Sequence, residues 1–163
     1  MSSQFFQALA GRLKRIERWI AQHEAYEPTN STCKVDMVAG TVTIVNNTET
    51  AVLFDEDVYD PDDLHSTTTN TDRITVKVAG IYICSAYASW QANNSGHRRI
   101  TIKIGATVLT GNWAGGDPNE PTLQGCAHQA ELAVGDIVRL YAYEDSGSDL
   151  SLNDATLAVT RIA

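Results

Sequence analysis

The amino-acid sequence predicts an all-β domain of about ten strands, a sandwich or jelly roll, preceded by one short α-helix. Two observations support this prediction. Helical periodicity is confined to the first 26 residues, and strand-like runs then recur at short intervals, separated by glycine, asparagine and aspartate. With 163 residues, 43% of them hydrophobic, the chain can bury the core of one such domain.

The predicted N-terminal helix spans residues 1–26 and carries apolar residues at heptad spacing, with charged or polar residues between them. Such a seam is typical of a helix that packs against other helices. Fewer than three heptads are marginal for an isolated coiled coil, so a helical bundle would need support from the attached domain. A helix that self-associates or docks on another protein is favoured over one that packs on its own domain, because charged residues flank the seam. The residues expected to make these contacts are Phe6, Leu9, Leu13, Ile16, Trp19 and Ile20.

Pro28 and the turn-forming residues around it end the helical pattern, which predicts a linker at 27–32 and a head domain at 33–163. No helical pattern follows in the sequence. The ten predicted strands are 34–38, 41–45, 51–54, 73–78, 81–90, 99–104, 107–109, 125–132, 136–143 and 156–162.

Two segments of the predicted head, 73–90 and 131–143, each join a short run through a glycine to a longer strand. The first contains Thr-Val-Lys-Val-Ala-Gly80-Ile-Tyr-Ile-Cys84, and the second begins Leu132-Ala-Val-Gly135-Asp136-Ile-Val-Arg-Leu140. In this order and spacing they resemble the strand and turn motifs in the globular heads of the complement C1q and tumour necrosis factor superfamily. The similarity covers about residues 33–163 and implies a homotrimeric jelly roll that binds or decorates and is not an enzyme.

The sequence differs from the animal members of that superfamily in three respects. It has no collagen-like Gly-X-Y run, its N-terminus lacks a secretory signal pattern, and Cys84 stands where an aromatic residue is common. Short proteins with an N-terminal helix and such a head are similar to bacteriophage virion proteins. This resemblance implies a place on the virion surface after cytoplasmic synthesis.

The run from Ile137 to Tyr143 is apolar on both faces, as expected for a strand that is covered on both sides. We expect Val138, Leu140 and Ala142 to fill the sandwich, although the opposite assignment of faces also fits the pattern. The other face would then contact the neighbouring subunit of a ring-shaped trimer. The predicted interface residues of the head are Ile137, Arg139, Tyr141 and Tyr143.

Composition excludes several classes of function. The net charge of −8 and the pI near 4.8 argue against a nucleic-acid partner, which requires a basic surface. The sequence shows no apolar run long enough for membrane insertion. The four histidines have no metal-ligand spacing, and no catalytic motif is present, so we predict a protein without enzymatic activity or cofactor.

An acidic segment at 55–63 places six carboxylates in nine residues. Oxygen ligands of this kind suit Ca²⁺, but the spacing matches no fixed calcium-loop pattern. A solvated acidic loop is therefore the favoured interpretation, and Ca²⁺ binding is the alternative. The candidate ligands are Asp55, Asp57, Asp60, Asp62 and Asp63.

The segment 111–121 is polar and glycine-rich with a single tryptophan, and the sequence predicts a long loop. An exposed aromatic side chain on a loop often recognises a sugar or a protein, although the same tryptophan could pin the loop to the core. The candidate ligand residues are Asn112, Trp113, Asp117 and Asn119.

Two functional hypotheses follow. The first is a structural virion protein, a trimer that is attached to capsid or tail through its N-terminal helix and carries an acidic head. The second is a tail-fibre or tail-tip adhesin whose loops bind a host cell-surface glycan or protein.

Overall fold

A computed structural model describes residues 12–19, 31–37 and 40–163 of the chain. Residues 12–19 form an α-helix, α1. Its side chains Leu13, Ile16 and Trp19 are each more than half exposed within the described single chain. The predicted contacts at Phe6, Leu9 and Ile20 lie outside the described residues.

The head consists of eleven strands in the described ranges. They are β1 (Thr32–Asp36), β2 (Val42–Ile44), β3 (Thr50–Ala51), β4 (Glu56–Tyr59), β5 (Ile74–Thr75), β6 (Gly80–Trp90), β7 (His97–Ile104), β8 (Thr107–Gly115), β9 (Thr122–Leu132), β10 (Ile137–Glu144) and β11 (Leu150–Arg161).

These strands form two antiparallel sheets. The first sheet has the order β4-β1-β11-β6-β9, with β2 also paired to β11. The second has the order β3-β10-β7-β8, with β5 also paired to β10. Neighbouring strands come from distant parts of the chain, as β1 with β11 and β10 with β7 illustrate, which is the connectivity of a jelly roll and not of a simple meander. The predicted all-β jelly-roll fold with one short helix is confirmed.

One strand, β4, was not expected from the sequence. It lies in the acidic segment, and all four of its residues are exposed, so it has no apolar alternation. Pairing with β1 holds it at the edge of the first sheet. Its charged side chains also suit an edge strand, because charge there discourages pairing with other chains.

The core lies between the inward faces of the two sheets. Burial alternates along β10, where Val138, Leu140 and Ala142 are completely buried as expected. Each large apolar side chain buried in this way contributes about 1.5–3 kcal/mol to folding. The largest fully buried apolar side chains are Trp90, Tyr82, Phe54, Ile44, Ile74, Ile100, Ile102, Leu132, Leu140, Leu152 and Leu157.

The glycines in segments 73–90 and 131–143 are required for two different structural reasons. A Cβ at Gly80 would lie 2.3 Å from the carbonyl oxygen of Ala163, so only glycine lets the C-terminus pass beside the start of β6. Gly135 has φ +91° in the turn between β9 and β10, a conformation that favours glycine. The similar sequence pattern therefore serves a close approach in one segment and a turn in the other.

The head has two opposite ends along β6. The Arg161 N–H donates to Ser31 O, and the Ile81 N–H donates to Ala163 O, which places residue 31 and the C-terminus near Gly80. The loops 91–96, 116–121 and 145–149 lie beyond Trp90 and form what we call the distal end. An eleven-residue strand spans roughly 35 Å, so the distal end is well separated from the point where the chain enters the head.

Candidate functional site

The outward face of the second sheet brings cations and aromatic rings together on three strands. Arg99 on β7 lies directly between Trp113 on β8 and Tyr143 on β10 in the strand register. Its guanidinium carbon is 4.8 Å from the centroid of each ring. The two rings meet edge to face at 6.0 Å, and His97 approaches Trp113 at 6.3 Å. Each such cation–π contact contributes about 0.5–1 kcal/mol at an exposed site.

Glu49 connects this cluster to the next cation along β7. One of its carboxylate oxygens accepts a hydrogen bond from Arg99 at 3.0 Å, and the other accepts from the Lys103 ammonium group. The Lys103 nitrogen also lies 4.6 Å from the ring centroid of Tyr141. Two cations share one carboxylate, so these three side chains carry one net positive charge on an otherwise acidic protein.

A groove of about 430 Å³ lies against these residues. Thr101 forms part of its lining and is 4% exposed, and the Nε of Arg99, another lining residue, is buried without a hydrogen-bond partner among the described residues. Gly111 faces Thr101 across the strand pair, and a Cβ there would lie 2.8 Å from the carbonyl oxygen of Ile100 and 3.3 Å from the Thr101 hydroxyl oxygen. The absence of a side chain therefore keeps the groove open over Thr101. The lining residues are Glu49, Arg99, Thr101, Lys103, Val108, Gly111 and Trp113. We call this feature the β7–β8 groove.

The structure separates the four ligand residues that the sequence predicted. Trp113 belongs to β8 and lines the β7–β8 groove with 55% of its surface exposed. Asn112 turns away from it and donates to the carbonyl of Gly125 at 2.9 Å. Asp117 and Asn119 lie in the loop 116–121, where the Asp117 carboxylate accepts the Asn119 N–H at 2.8 Å. They therefore do not form one cluster, and a ligand role for each stays a prediction.

The predicted loop is shorter than expected because β8 continues to Gly115. The sequence did not indicate four other residues of the groove as site residues, Glu49, Arg99, Thr101 and Lys103. Residues 99–104 alternate between polar and isoleucine side chains, which predicted a polar face for this strand. The pairing of β7 between β8 and β10 could not be read from that pattern, and this pairing brings the three strands' side chains together.

The distal loops are tied to one another by main-chain contacts. The Asn93 N–H donates to Asp117 O at 2.8 Å, which joins loop 91–96 to loop 116–121. The His97 N–H donates to the Asp145 carboxylate, which joins the start of β7 to loop 145–149. Arg98 donates from beneath to the carbonyls of Asn93 and Ser95. The distal end is thus a set of connected loops above a buried arginine.

The predicted interface residues on β10 point outward from the sandwich, and each is partly exposed. Arg139 donates to Asp72 at 2.5 Å, and the Tyr143 hydroxyl donates to Asn47 at 3.1 Å. Partial burial acts to raise the pKa of Asp72, but hydrogen bonds from Arg139 and Arg73 outweigh it, and the pKa of Asp72 is lowered. These outward groups therefore already have polar partners within the chain. Their contact with a second subunit stays a prediction.

The outward face of the first sheet is different in character. On β6 and β9 the side chains of Ile81, Ile83, Tyr87 and Leu123 are exposed by 37, 42, 36 and 63%. Three small residues lie among them: Ser85 pairs with Ala127, and Gly125 pairs with Tyr87. We call this surface the β6–β9 face. A patch of exposed aliphatic and aromatic groups on a sheet is a feature of surfaces that are covered by a partner.

Two of the candidate Ca²⁺ ligands in the acidic segment make hydrogen bonds to residues 64 and 65 of the same chain. Asp57 lies 2.6 Å from Nδ1 of His65, whose side chain is completely buried. Asp60 accepts the main-chain N–H groups of Leu64 and His65, both at 2.8 Å. Within residues 12–19, 31–37 and 40–163, no three His, Cys, Asp or Glu side chains come together as a metal site. Ca²⁺ binding by this segment stays an untested hypothesis.

In the part of the chain that the structure describes, no helix has the length and apolar character needed to cross a membrane.

Comparison with known proteins gives similarity at the level of structure. No family model matches the sequence, and no curated protein matches it. The vertex protein P5 of PRD1 superposes with a TM-score of 0.64 at 13% identity, covering 82% of this chain and 99% of that one. The globular domain of the zebrafish complement 1qA protein gives 0.60 at 17% identity, covering 82% and 98%. Murine APRIL gives 0.59 at 14% identity, covering 82% and 100%.

These matches confirm the C1q/TNF-like jelly-roll fold that was predicted from the motifs in segments 73–90 and 131–143. They cover four-fifths of the chain and nearly the whole of each compared structure, so the head resembles these domains as a unit. At 13 to 17% identity, what they share is the fold.

Proposed function

We propose that this chain is a non-enzymatic structural protein of a phage virion, a homotrimer that is attached through its N-terminal helix and carries the jelly-roll head outward. The similarity of the head to a phage vertex protein supports this role. The observation that carries the proposal is the separation of the two ends of the head. The chain enters beside Gly80, and the connected distal loops lie at the far end of β6. A helix at the entry end can therefore attach the protein while the distal loops face away.

The sequence charge distribution is consistent with this orientation. Residues 1–24 contain four cationic and two acidic side chains, so they carry a net charge of +2, whereas the whole chain carries −8. The remainder therefore carries −10. A mildly basic attachment segment and an acidic head suit two different surroundings, one against other virion proteins and one against solvent.

The trimer of heads requires a surface that each subunit can present to the next. The sequence prediction places it on the outward face of β10, whereas we propose the β6–β9 face as the stronger candidate. Covering Ile83, Tyr87 and Leu123 removes apolar area from water at about 25 cal/mol per Å². Covering Arg139 or Lys103 instead requires desolvation of charged groups that already have partners within the chain.

Light scattering of the full chain tests the oligomeric state, with a trimer as the expected result. A monomer at micromolar concentration would contradict the architecture. Electron microscopy of virions with labelled protein tests the location. Copies distributed over the capsid lattice support decoration, and the same images without any label on the particle would exclude a virion role.

A second candidate function, a receptor-binding adhesin, is favoured by the β7–β8 groove and the exposed Trp113 within it. Under this function the labelled copies would lie only at the tail tip. Copies spread over the capsid would contradict it, so one imaging experiment separates the two candidates.

A further inference from the structure

We infer that the β7–β8 groove is a binding site for an acidic saccharide, a pyranose unit that carries a carboxylate. The inference goes beyond the structural role, because a decoration protein needs no small-ligand site. It also does not depend on the trimer, since all seven lining residues belong to one chain. Its volume of about 430 Å³ lies within the range of small-ligand pockets.

The aromatic part of the groove fits the C–H face of a sugar ring. The indole of Trp113 is 55% exposed although its edge contacts Tyr143 and Arg99 lies against it. These contacts hold the ring in one orientation, so little side-chain entropy remains to be lost when a ligand binds. Val108, which is 57% exposed, adds an apolar group to the same lining.

The polar part of the groove contains more donors than acceptors. The Nε of Arg99 is buried without a hydrogen-bond partner among the described residues, and the lining also contains the indole N–H of Trp113 and the hydroxyl of Thr101. Lys103 and Arg99 together hold eight N–H donors by their chemistry. Against these stands one carboxylate, Glu49, whose two oxygens each already accept a hydrogen bond.

A ligand that complements this donor excess must supply acceptors, and the net positive charge of the groove favours an anionic one. A simple inorganic anion would satisfy the cations but leave the exposed indole uncovered. A sugar acid supplies a carboxylate for Arg99 or Lys103, hydroxyl oxygens for Thr101, and a C–H face for Trp113.

Arg99 and Thr101 give the most specific support. The Nε of Arg99 is buried without a hydrogen-bond partner among the described residues, and leaving such a donor unpaired costs about 1–3 kcal/mol. Thr101 adds a hydroxyl to the lining of the groove. Replacement of Thr101 by valine keeps the β-branched shape and removes only that hydroxyl. Thr101→Val is therefore expected to retain its stability, so a loss of saccharide binding in this variant would not come from unfolding.

The test uses the full chain and saturation-transfer NMR with two trisaccharide probes. One contains three galacturonic acid units (the acidic trimer), and the other contains three galactose units (the neutral trimer). We expect the acidic trimer to bind with a dissociation constant on the order of 1 mM, as for a shallow site. The neutral trimer should bind at least about tenfold more weakly, which corresponds to the loss of one charge-assisted contact.

Three variants complete the test. Trp113→Ala should weaken binding of the acidic trimer at least about tenfold, and Thr101→Val about fivefold with no fall in melting temperature. Val134→Ala, an exposed residue in the β9–β10 turn, should bind as the original chain does.

The inference is overturned if the acidic trisaccharide does not bind at a concentration about tenfold above its expected dissociation constant. It is also overturned if the acidic and the neutral trisaccharide bind equally well. It is also overturned if Val134→Ala loses as much affinity as Trp113→Ala, or if Thr101→Val binds unchanged. None of these results affects the proposed trimer, which light scattering decides separately.

Discussion

Arg98 on β7 and Glu144 on β10 are cross-strand partners on the inward faces of their strands, and both side chains are completely buried. No hydrogen bond joins them in the described structure. Arg98 donates to carbonyls of loop 91–96, and Glu144 accepts the N–H of Ser146. Burial lowers the pKa of Arg98, while the charges of Glu144 and Asp145 oppose this shift. The pair therefore places two opposite charges beneath the distal loops.

The first prediction concerns this buried pair. Glu144→Gln keeps an acceptor for Ser146 but removes the charge that compensates Arg98, so we expect a loss of about 2 kcal/mol in the free energy of unfolding. Thermal or denaturant unfolding measures it. Glu56→Gln, a change of the same kind at an exposed position on β4, should alter stability by less than about 0.5 kcal/mol. Equal effects in the two variants would show that the buried charge is not specifically compensated.

The second prediction concerns the pH dependence of stability. Desolvation raises the pKa of the buried Cys84 thiol from 9.0 to about 11. Below pH 9 the thiol is protonated in both the folded and the unfolded chain, so ionisation of Cys84 does not change the stability there. Between pH 9 and about 11 the unfolded chain loses this proton first and binds fewer protons, so the free energy of unfolding falls as pH rises.

This rise in the pKa of Cys84 corresponds to a loss of roughly 2–3 kcal/mol in the free energy of unfolding across this pH window. Unfolding measured from pH 7 to 11 in the original chain and in Cys84→Ala isolates the effect. The variant starts from a lower stability because of its cavity, but its slope above pH 9 should be shallower. Parallel slopes would show that the thiol does not contribute.

The strands that could be predicted from the sequence are those whose apolar pattern matches their burial. Along β10 the sequence favoured Val138, Leu140 and Ala142 as the inward residues but left the opposite assignment open, because both faces of the run are apolar. The burial of these three residues in the structure agrees with the favoured assignment. The acidic strand β4 was missed, since its stability depends on pairing with β1 and not on its own side chains. The β7–β8 groove was missed for a related reason. Trp113 was recognised alone, but Glu49 joins it only because β3 pairs with β10 across 90 residues of chain.

The third prediction concerns calcium. Asp57 and Asp60 already hold His65 and the backbone around it, so their oxygens are not free to form a new coordination shell. We expect the melting temperature in 2 mM CaCl₂ and in EDTA to differ by less than about 1 °C. A rise of several degrees with CaCl₂ that disappears in Asp62→Asn would establish the calcium hypothesis instead.

The fourth prediction concerns the helix. Leu13 and Ile16 are 51 and 54% exposed in α1, and the heptad pattern places them on one seam. Replacing both by aspartate should abolish helix packing or docking, because charge at a buried seam position is strongly unfavourable. Copies per virion, measured by quantitative blotting, should fall at least about tenfold. Lys14→Asp, an equally charged change off the seam, is the control and should leave attachment near its original level.

The fifth prediction separates the two candidate surfaces for contact between heads. Ile83 and Leu123 lie on the β6–β9 face, and Tyr141 lies on the outward face of β10. Because a buried unpaired carboxylate is costly, glutamate on the contacting face should dissociate the trimer. We expect Ile83→Glu with Leu123→Glu to give monomers in light scattering, and Tyr141→Glu to remain trimeric.

The reverse outcome would place the contact on β10, as the sequence first indicated. To exclude unfolding as the cause of dissociation, each variant needs a cooperative thermal transition and an unchanged circular dichroism spectrum. Both faces are outward, so these glutamates do not enter the core, and a folded monomer is the expected product. If both variants stay trimeric, α1 alone holds the subunits together, and deletion of residues 1–26 should then release monomeric heads.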